Sequence, residues 1–486
     1  MSITKTGKAY LAKYDFRSKQ RYIYRTNKLR EIAGASLIIT DAYEEFLKRL
    51  EELKPGWKIE RHYEAPKNPE HYYLNKADEL FEPDLDKNDG EVIYVGGGNL
   101  YILWKSRERA LEANRILSEY LRDETYSLSP VCGLAPYTGD YAKDIDNLNR
   151  DFEQKKRAVP PILFSAVLPF TKIDRKTGLP VVARVQEEDL SQESLLKRQK
   201  YETNRNEWED LDSMVREKGT ESLLAVIYAD GNNMGARVRE TMKPGGKEIR
   251  DYREAVERIR RLSNTVQEHF VSSPRKAIEE MLRKKDEKYR IVIAGGDEMT
   301  LICKAGAALD VVKTYFEELD RSNAAGETPN TACVGVCIFH SHYPFSTAYA
   351  IAEECCENAK KANRNHGGNN CLVDFQHCFG GNIGTLETMR ENDKQELIMR
   401  PYFWKGYEAS VCYDKGNLAE LERVAKKLKD AGRANIKNLS GYLIINSERF
   451  ETEVRRLGLK LTEDEKKYIH DIAQFYDIWF AKGAEE

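Results

Sequence analysis

A chain of 486 residues can build two to four domains with an ample core, and its formal net charge of -3 at 32% charged residues is that of an ordinary soluble protein. This balance gives no support to a bulk electrostatic grip on nucleic acid, and no apolar run approaches the roughly 18 residues that span a bilayer. Nine scattered cysteines without a CxxC pair exclude a zinc ribbon and point to reduced thiols in the cytoplasm.

In chain order, the apolar run Ala9–Tyr14 reads as a strand delivering Asp15, followed by a basic helix over 19–30. A new apolar helix is expected to start at Gly34-Ala-Ser36 and run to Phe46. Residues 54–90, rich in Pro, Asn, Asp and Tyr, read as loop. A hairpin then turns at Gly96-Gly97, and 107–121 has helical apolar spacing. The first unit is expected to cover residues 1–135. Residues 136–220 are charged, carry Val159-Pro-Pro-Ile162, and read as a connecting or inserted segment, partly helical. The second unit is expected over 221–380: a strand Leu223–Tyr228 delivering Asp230, charged helices over 252–270 and 274–285, a Gly-Gly-Asp-Glu hairpin, then helix, strand and helix. Residues 381–486 read as a helical C-terminal domain, with amphipathic stretches at 418–431 and 462–481. The basic clusters at 17–30, 155–157 and 197–200 are read as solvated helix faces, which leaves nucleic-acid binding open.

The two units are copies. Glu91-Val-Ile-Tyr-Val-Gly-Gly-Gly-Asn-Leu-Tyr-Ile-Leu103 aligns with Arg290-Ile-Val-Ile-Ala-Gly-Gly-Asp-Glu-Met-Thr-Leu-Ile302, and Asp15 mirrors Asp230. Downstream, Val131-Cys-Gly-Leu-Ala135 is set against Val334-Gly-Val-Cys-Ile338. Gly98 and Asn99 stand where the second copy has Asp297 and Glu298, so one copy keeps its acids and the other has lost them. Glycines at a hairpin tip let a bulky anion approach the backbone, which assigns Gly295 and Gly296 to nucleotide binding. Asp230, Asp297 and Glu298 on adjacent strand ends, with the Gly231 carbonyl accessible, form a hard-oxygen set suited to Mg²⁺ or Mn²⁺. Such a set serves two-metal phosphoryl or nucleotidyl transfer. Lys360, near the end of the helix Ala348-Tyr-Ala-Ile-Ala-Glu-Glu-Cys-Cys-Glu-Asn-Ala-Lys360, is placed to meet the β and γ phosphates as a point charge. Asp15, without acids at 98–99, assembles no metal site.

The order strand-Asp, GGDE hairpin, helix ending Ala-Lys resembles the palm of GGDEF-type diguanylate cyclases. It resembles still more the second palm of the large polymerase/cyclase subunit of type III CRISPR effector complexes. Ala229-Asp-Gly-Asn-Asn-Met-Gly235 and His340-Ser-His-Tyr-Pro-Phe345 have counterparts in that second palm, and Asn27-Lys-Leu-Arg-Glu-Ile-Ala-Gly-Ala-Ser36 and Gly96-Gly-Gly-Asn99 in its first. The resemblance spans roughly residues 8–375. It implies an α/β (α+β) chain with two ferredoxin-like palms from a duplication, a connecting insertion and helices at the C-terminus. It also implies ATP (or another NTP) as substrate, a cyclic or short linear oligonucleotide product with release of pyrophosphate, and a role in antiviral defence with CRISPR-type partner proteins. By the same resemblance Asp230 and Asp297 are metal ligands, and Glu298 replaces an aspartate of that family. Asn233 contacts the catalytic-site nucleotide, while Gly97, Gly98, Asn99 and Ser36 line an acceptor nucleotide; from the residues alone Ser36 is a helix-start position. No segment resembles the family's HD nuclease domain, and His470-Asp471 is assigned a structural role, so a reduced, stand-alone relative is expected. His340 and His342 are assigned to packing at a strand end rather than to a metal. Two other readings stay open: a template-directed polymerase on the same palm, and a non-catalytic scaffold that binds nucleotide or RNA.

Overall fold

A computed structural model describes residues 9–26, 28–66, 72–158, 170–185, 187–203, 214–215, 222–323, 328–378, 384–391, 397–405 and 416–481. Asn27 and the Val159-Pro-Pro-Ile162 stretch lie outside them. The chain forms two compact units, one from Met1–Trp208 with Met234–Glu268, the other from Glu209–Asn233 with His269–Glu486. Among the described residues no helix is long and apolar enough to cross a membrane.

The first unit opens with β1 (Tyr10–Arg17), α1 (Lys19–Ile23) and α2 (Leu29–Leu53), then β2 (Ile59–Glu60) and a small pair, β3 (Tyr63–Glu64) with β4 (Leu74–Asn75). The hairpin β5 (Gly90–Gly96) and β6 (Asn99–Trp104) follows, then α3 (Arg107–Thr125), β7 (Ser129–Pro136) and α4 (Tyr141–Ala158). The sheet order is β2-β5-β6-β1-β7. The expected break at Gly34 is absent: the chain turns between Ile23 and Leu29, and Gly34 sits inside α2. A Cβ there would lie 1.9 Å from the Lys197 carbonyl oxygen, so the glycine serves the close approach of α5 (Gln192–Thr203) rather than a helix start. The strands β8 (Val181–Val185) and β9 (Glu188–Ser191) form a hairpin ahead of α5.

The helices α6 (Met234–Met242) and α7 (Tyr252–Gln267) also belong to this unit. Arg260 of α7 is buried, and its guanidinium donates to the carbonyls of Ile93 at 2.6 Å, Val92 at 3.3 Å, and Lys76 and Glu79 at 3.2 Å. Those partners include the irregular stretch of β5 between Val92 and Tyr94, where the ladder to β6 shifts register. Burial pulls the Arg260 pKa down to about 10, which leaves it charged at neutral pH.

The second unit is built on β10 (Leu223–Gly231), whose Leu224–Ala229 stretch is fully buried as a central strand should be. It continues with α8 (Ser273–Lys284), β11 (Tyr289–Gly295), β12 (Glu298–Lys304), α9 (Ala308–Arg321), β13 (Ala332–His340), α10 (Phe345–Asn365), β14 (Leu372–Cys378), α11 (Leu386–Glu391) and β15 (Tyr402–Phe403). The sheet order is β11-β12-β10-β13-β14-β15. Both units therefore share one βαββαβ core of ferredoxin-like type, hairpin beside first strand beside last strand. The copies agree in detail. The irregularity in β5 recurs between Ile291 and Ile293 of β11, at the aligned position.

The last core strands align one residue away from the expected match. Gly133 faces Lys13 and Gly335 faces Tyr228, so glycine falls on glycine. The cause is helix packing. A Cβ at Gly335 would lie 1.8 Å from the Ala352 carbonyl oxygen of α10, and one at Gly133 would lie 2.7 Å from the Phe152 Cβ of α4.

The C-terminal helices α12 (Leu418–Leu428), α13 (Arg433–Ile445), α14 (Ser447–Arg456), α15 (Glu463–Lys466) and α16 (Ile469–Phe475) share a compact unit with this second sheet. Phe375 of β14 packs edge-on against Phe475 and Trp479, with centroids 4.7 and 4.9 Å away. Asp471, buried, accepts from Arg400 Nη1 (2.8 Å), the Tyr402 hydroxyl (2.7 Å) and the Met399 N–H (3.1 Å), so the His470-Asp471 pair is a structural anchor.

Candidate functional site

β10 stays apolar and buried through Ala229, then emerges at Asp230, whose side chain is 22% exposed. Asp230 pairs in register with Glu298, the first residue of β12. Between Gly295 and Glu298 the hairpin turns through Gly296 (φ 66°) and Asp297. Only the first turn residue needs positive φ, so the second can carry a side chain, and here it is an acid. The Gly231 N–H donates to the Asp297 carbonyl at 3.1 Å, which ties the tip to the strand end.

The result is a pair of interacting carboxylates. Burial of the Asp297 carboxyl, followed by the negative charge of Asp230, pushes its pKa up to about 7, only partly offset by Lys360. Lys360 reaches in from α10 and donates to Asp230 Oδ2 at 2.5 Å. Burial opposes the charge on Lys360, but the Asp230 carboxylate outweighs it and raises the lysine pKa. A desolvated carboxyl whose pKa stands near neutrality is a place where a divalent cation would displace the proton, and with that proton gone two carboxylates face one ammonium and leave local negative charge for the ion. The donor set therefore fits such an ion. Among the described residues, however, no three His, Cys, Asp or Glu side chains are close enough to hold a metal. The structure brings Asp230, Asp297 and Lys360 together, while Glu298 joins them by register without completing a three-acid cluster.

Asn233 has φ 58° and donates to the Gly368 carbonyl at 2.7 Å, so its amide fastens the loop after α10. Asn232, in the same Asp-Gly-Asn-Asn segment but with no role assigned from sequence, is its buried counterpart: it donates to Thr331 Oγ1 at 3.1 Å and to the Asn370 carbonyl at 2.9 Å. Together they lock the Asp-Gly-Asn-Asn turn to the end of the helix that carries Lys360. His340 ends β13 and accepts from the His342 N–H at 3.2 Å.

In the first unit, Gly97 (φ 56°) and Gly98 (φ 73°) both take positive φ, a conformation that favours glycine, and Asn99 donates back to the Gly97 carbonyl at 2.8 Å. Tyr43 of α2 reaches the tip, its hydroxyl 2.8 Å from the Gly98 carbonyl oxygen. Ser36 lies seven residues earlier, two turns or about 10 Å along the same helix face.

Residues 223–367 match the family model described as Cas10/Cmr2, second palm domain. No curated protein matches the chain. Among solved structures, the chain is similar to that of the Csm1-Csm4 subcomplex in the type III-A CRISPR-Csm interference complex, with 14% identity and a TM-score of 0.50, over 98% of this chain and 70% of that one. It is equally similar to the Csm1-Csm4 cassette in complex with cA3 and in complex with one ATP, each at 15% identity, TM-score 0.50 and the same coverages. These are likenesses of fold. The chain spans 65–70% of the length of the first chains it matches.

Proposed function

We propose a nucleotidyltransferase function for this chain, which belongs to the Cas10-like subunit family: it condenses ATP into cyclic or short linear oligonucleotides. In each step a 3′-hydroxyl oxygen bonds to the α-phosphorus of a second nucleotide. The bond from that phosphorus to the bridging oxygen breaks, and pyrophosphate leaves. The carrying observation is the Asp230–Asp297 pair, set at a strand end and a glycine turn of a matched palm domain, with Lys360 beside it. Asp230 and Asp297, with the Gly231 carbonyl and Glu298 alongside, would hold Mg²⁺ or Mn²⁺. When bound, such an ion supplies charge against the triphosphate and acidifies the attacking hydroxyl.

The remaining work falls to the chain. Gly295 and Gly296 leave the backbone open to phosphate. Lys360 exchanges its bond to Asp230 for one to the β and γ phosphates, a point charge moving with the leaving group. The Asn232–Asn233 turn fixes the distance from strand end to helix end. The first unit, stripped of acids, holds the acceptor nucleotide. That cA3 and ATP are bound in complexes of similar fold supports the substrate class. A Csm4-like subunit of a CRISPR-type assembly is the partner this reading proposes.

The test is pyrophosphate release from ATP with Mg²⁺ or Mn²⁺. Asp297→Asn should reduce it by about two orders of magnitude while the chain stays folded. Undiminished release in that variant refutes the assignment. Binding of ATP and partner subunits with no turnover would favour a scaffold, and extension of a primed strand would favour a polymerase.

A further inference from the structure

The first hairpin has lost its acids, and the space they would fill is occupied. A Cβ built on Gly98 would lie 2.2 Å from the Nζ of Lys19. That ammonium donates to the Gly98 carbonyl at 3.2 Å and pairs with Asp15 Oδ1 at 2.8 Å. Asp15 holds the same place on β1 that Asp230 holds on β10. Tyr14 pairs with Leu100 and Ala229 with Met299, so each aspartate comes next, at the tip of its hairpin. The contact between Asp15 and Lys19 is more than a helix-surface ion pair, because the lysine also bridges to a carbonyl 79 residues away. Four residues after Asp230 the second copy has Met234, not a lysine.

The exchange alters the local charge. In the second unit two carboxylates face one ammonium, which leaves a net negative site. In the first unit one carboxylate and one ammonium cancel, and a divalent ion has nothing to neutralise. Lys19 carries three donors, and two are engaged by Asp15 and Gly98. Its side chain is 27% exposed, so a third N–H is available to an anion at the hairpin tip. We infer that Lys19 is a built-in cation of the first unit. It takes the place that a divalent ion has in the second and binds the polyphosphate of a nucleotide directly, so that nucleotide binding to the first unit needs no metal.

The inference rests on the proposed function, from which the nucleotide is taken, and the test separates the two. ATP binding is measured by calorimetry on the full chain, with Mg²⁺ and again with excess EDTA. One ATP per chain should persist in EDTA. Lys19→Met should weaken that EDTA-resistant binding by about tenfold or more, the loss of a charge-assisted contact, and Lys19→Arg should keep it. Asp297→Asn should keep it too, while losing the Mn²⁺ that the wild-type chain binds. Binding in EDTA that is equal in Lys19→Met and wild type overturns the inference, as does two-site binding that vanishes entirely in EDTA; both leave the transferase reading standing. Mn²⁺ retained by Asp297→Asn at a site lost in Asp15→Asn also overturns it. Failure of ATP to bind even with Mg²⁺ removes both readings.

Discussion

Asp297→Asn without metal should stabilise the protein at alkaline pH, a consequence of the strained carboxylate pair. The Asp297 pKa stands near 7 in the folded chain against an ordinary 3.8. Because the folded-state value is raised, the native protein binds more protons than the unfolded one between those limits. Stability is therefore greatest below about pH 4 for this group and falls as pH rises to about 7. At 1.36 kcal/mol per tenfold, the full displacement corresponds to roughly 4 kcal/mol. Asp297 is half-buried and its titration is shared with Asp230, so about 1–2 kcal/mol is the working figure, or roughly 2–6 °C in the melting temperature of a unit this size. The assay is thermal melting of wild type and Asp297→Asn in EDTA at pH 5.5 and pH 8. The variant should gain on the wild type at pH 8 and lose about half of that advantage at pH 5.5, near the middle of the window between the two pKa values. Added Mn²⁺ should stabilise the wild type alone. A variant less stable than wild type at pH 8 would refute the picture of a carboxylate pair that Lys360 only partly offsets.

Gly335→Ala puts a methyl group into the backbone of α10 and should cost about 1–3 kcal/mol or more, read by denaturant unfolding. Asp374 accepts two bonds from Arg390, at 2.7 and 3.0 Å, both groups being buried. Despite burial, the Arg390 charge holds the Asp374 carboxyl below its ordinary range. Asp374→Ala should cost about 3–5 kcal/mol at pH 7, because Arg390 is left without its counter-ion. The wild-type pair should lose its contribution as pH drops through that depressed value. Arg260→Ala should speed amide exchange along β5 by at least tenfold with little change in β11, since it strips the carbonyls of Val92 and Ile93 of their buried donor.

The duplication, the palm core and the Asp230 and Asp297 positions were legible because strand periodicity, Gly-Gly turns and acid spacing are local signals. What escaped was set by contacts distant in sequence. Gly34 reads as a helix start until the Lys197 carbonyl is seen against it. The one-residue offset of Gly133 and Gly335 follows from helix contact, which apolar similarity does not encode. Helix α7 reads as part of the second palm, yet Arg260, Ser263 and Asn264 bond to β4 and β5 of the first unit. The basic cluster at 197–200 reads as a solvated face, yet Lys197 and Arg198 are buried, because buried lysines and arginines are rare and only a distant partner reveals them. Ser36 reads both as a ligand contact and as a helix-start position, and Asn233 reads as a ligand contact until its bond to the Gly368 carbonyl is seen. Lys19 was hidden in a basic stretch and became visible only through the Cβ that Gly98 lacks.

The most direct test is mass spectrometry of the products formed when the purified chain, alone and with a Csm4-like partner, is incubated with ATP and Mn²⁺. The account predicts oligoadenylates, cyclic or linear, appearing with pyrophosphate in wild type and absent in Asp297→Asn. Intact ATP in every reaction, from a chain shown to bind both ATP and Mn²⁺, would contradict it.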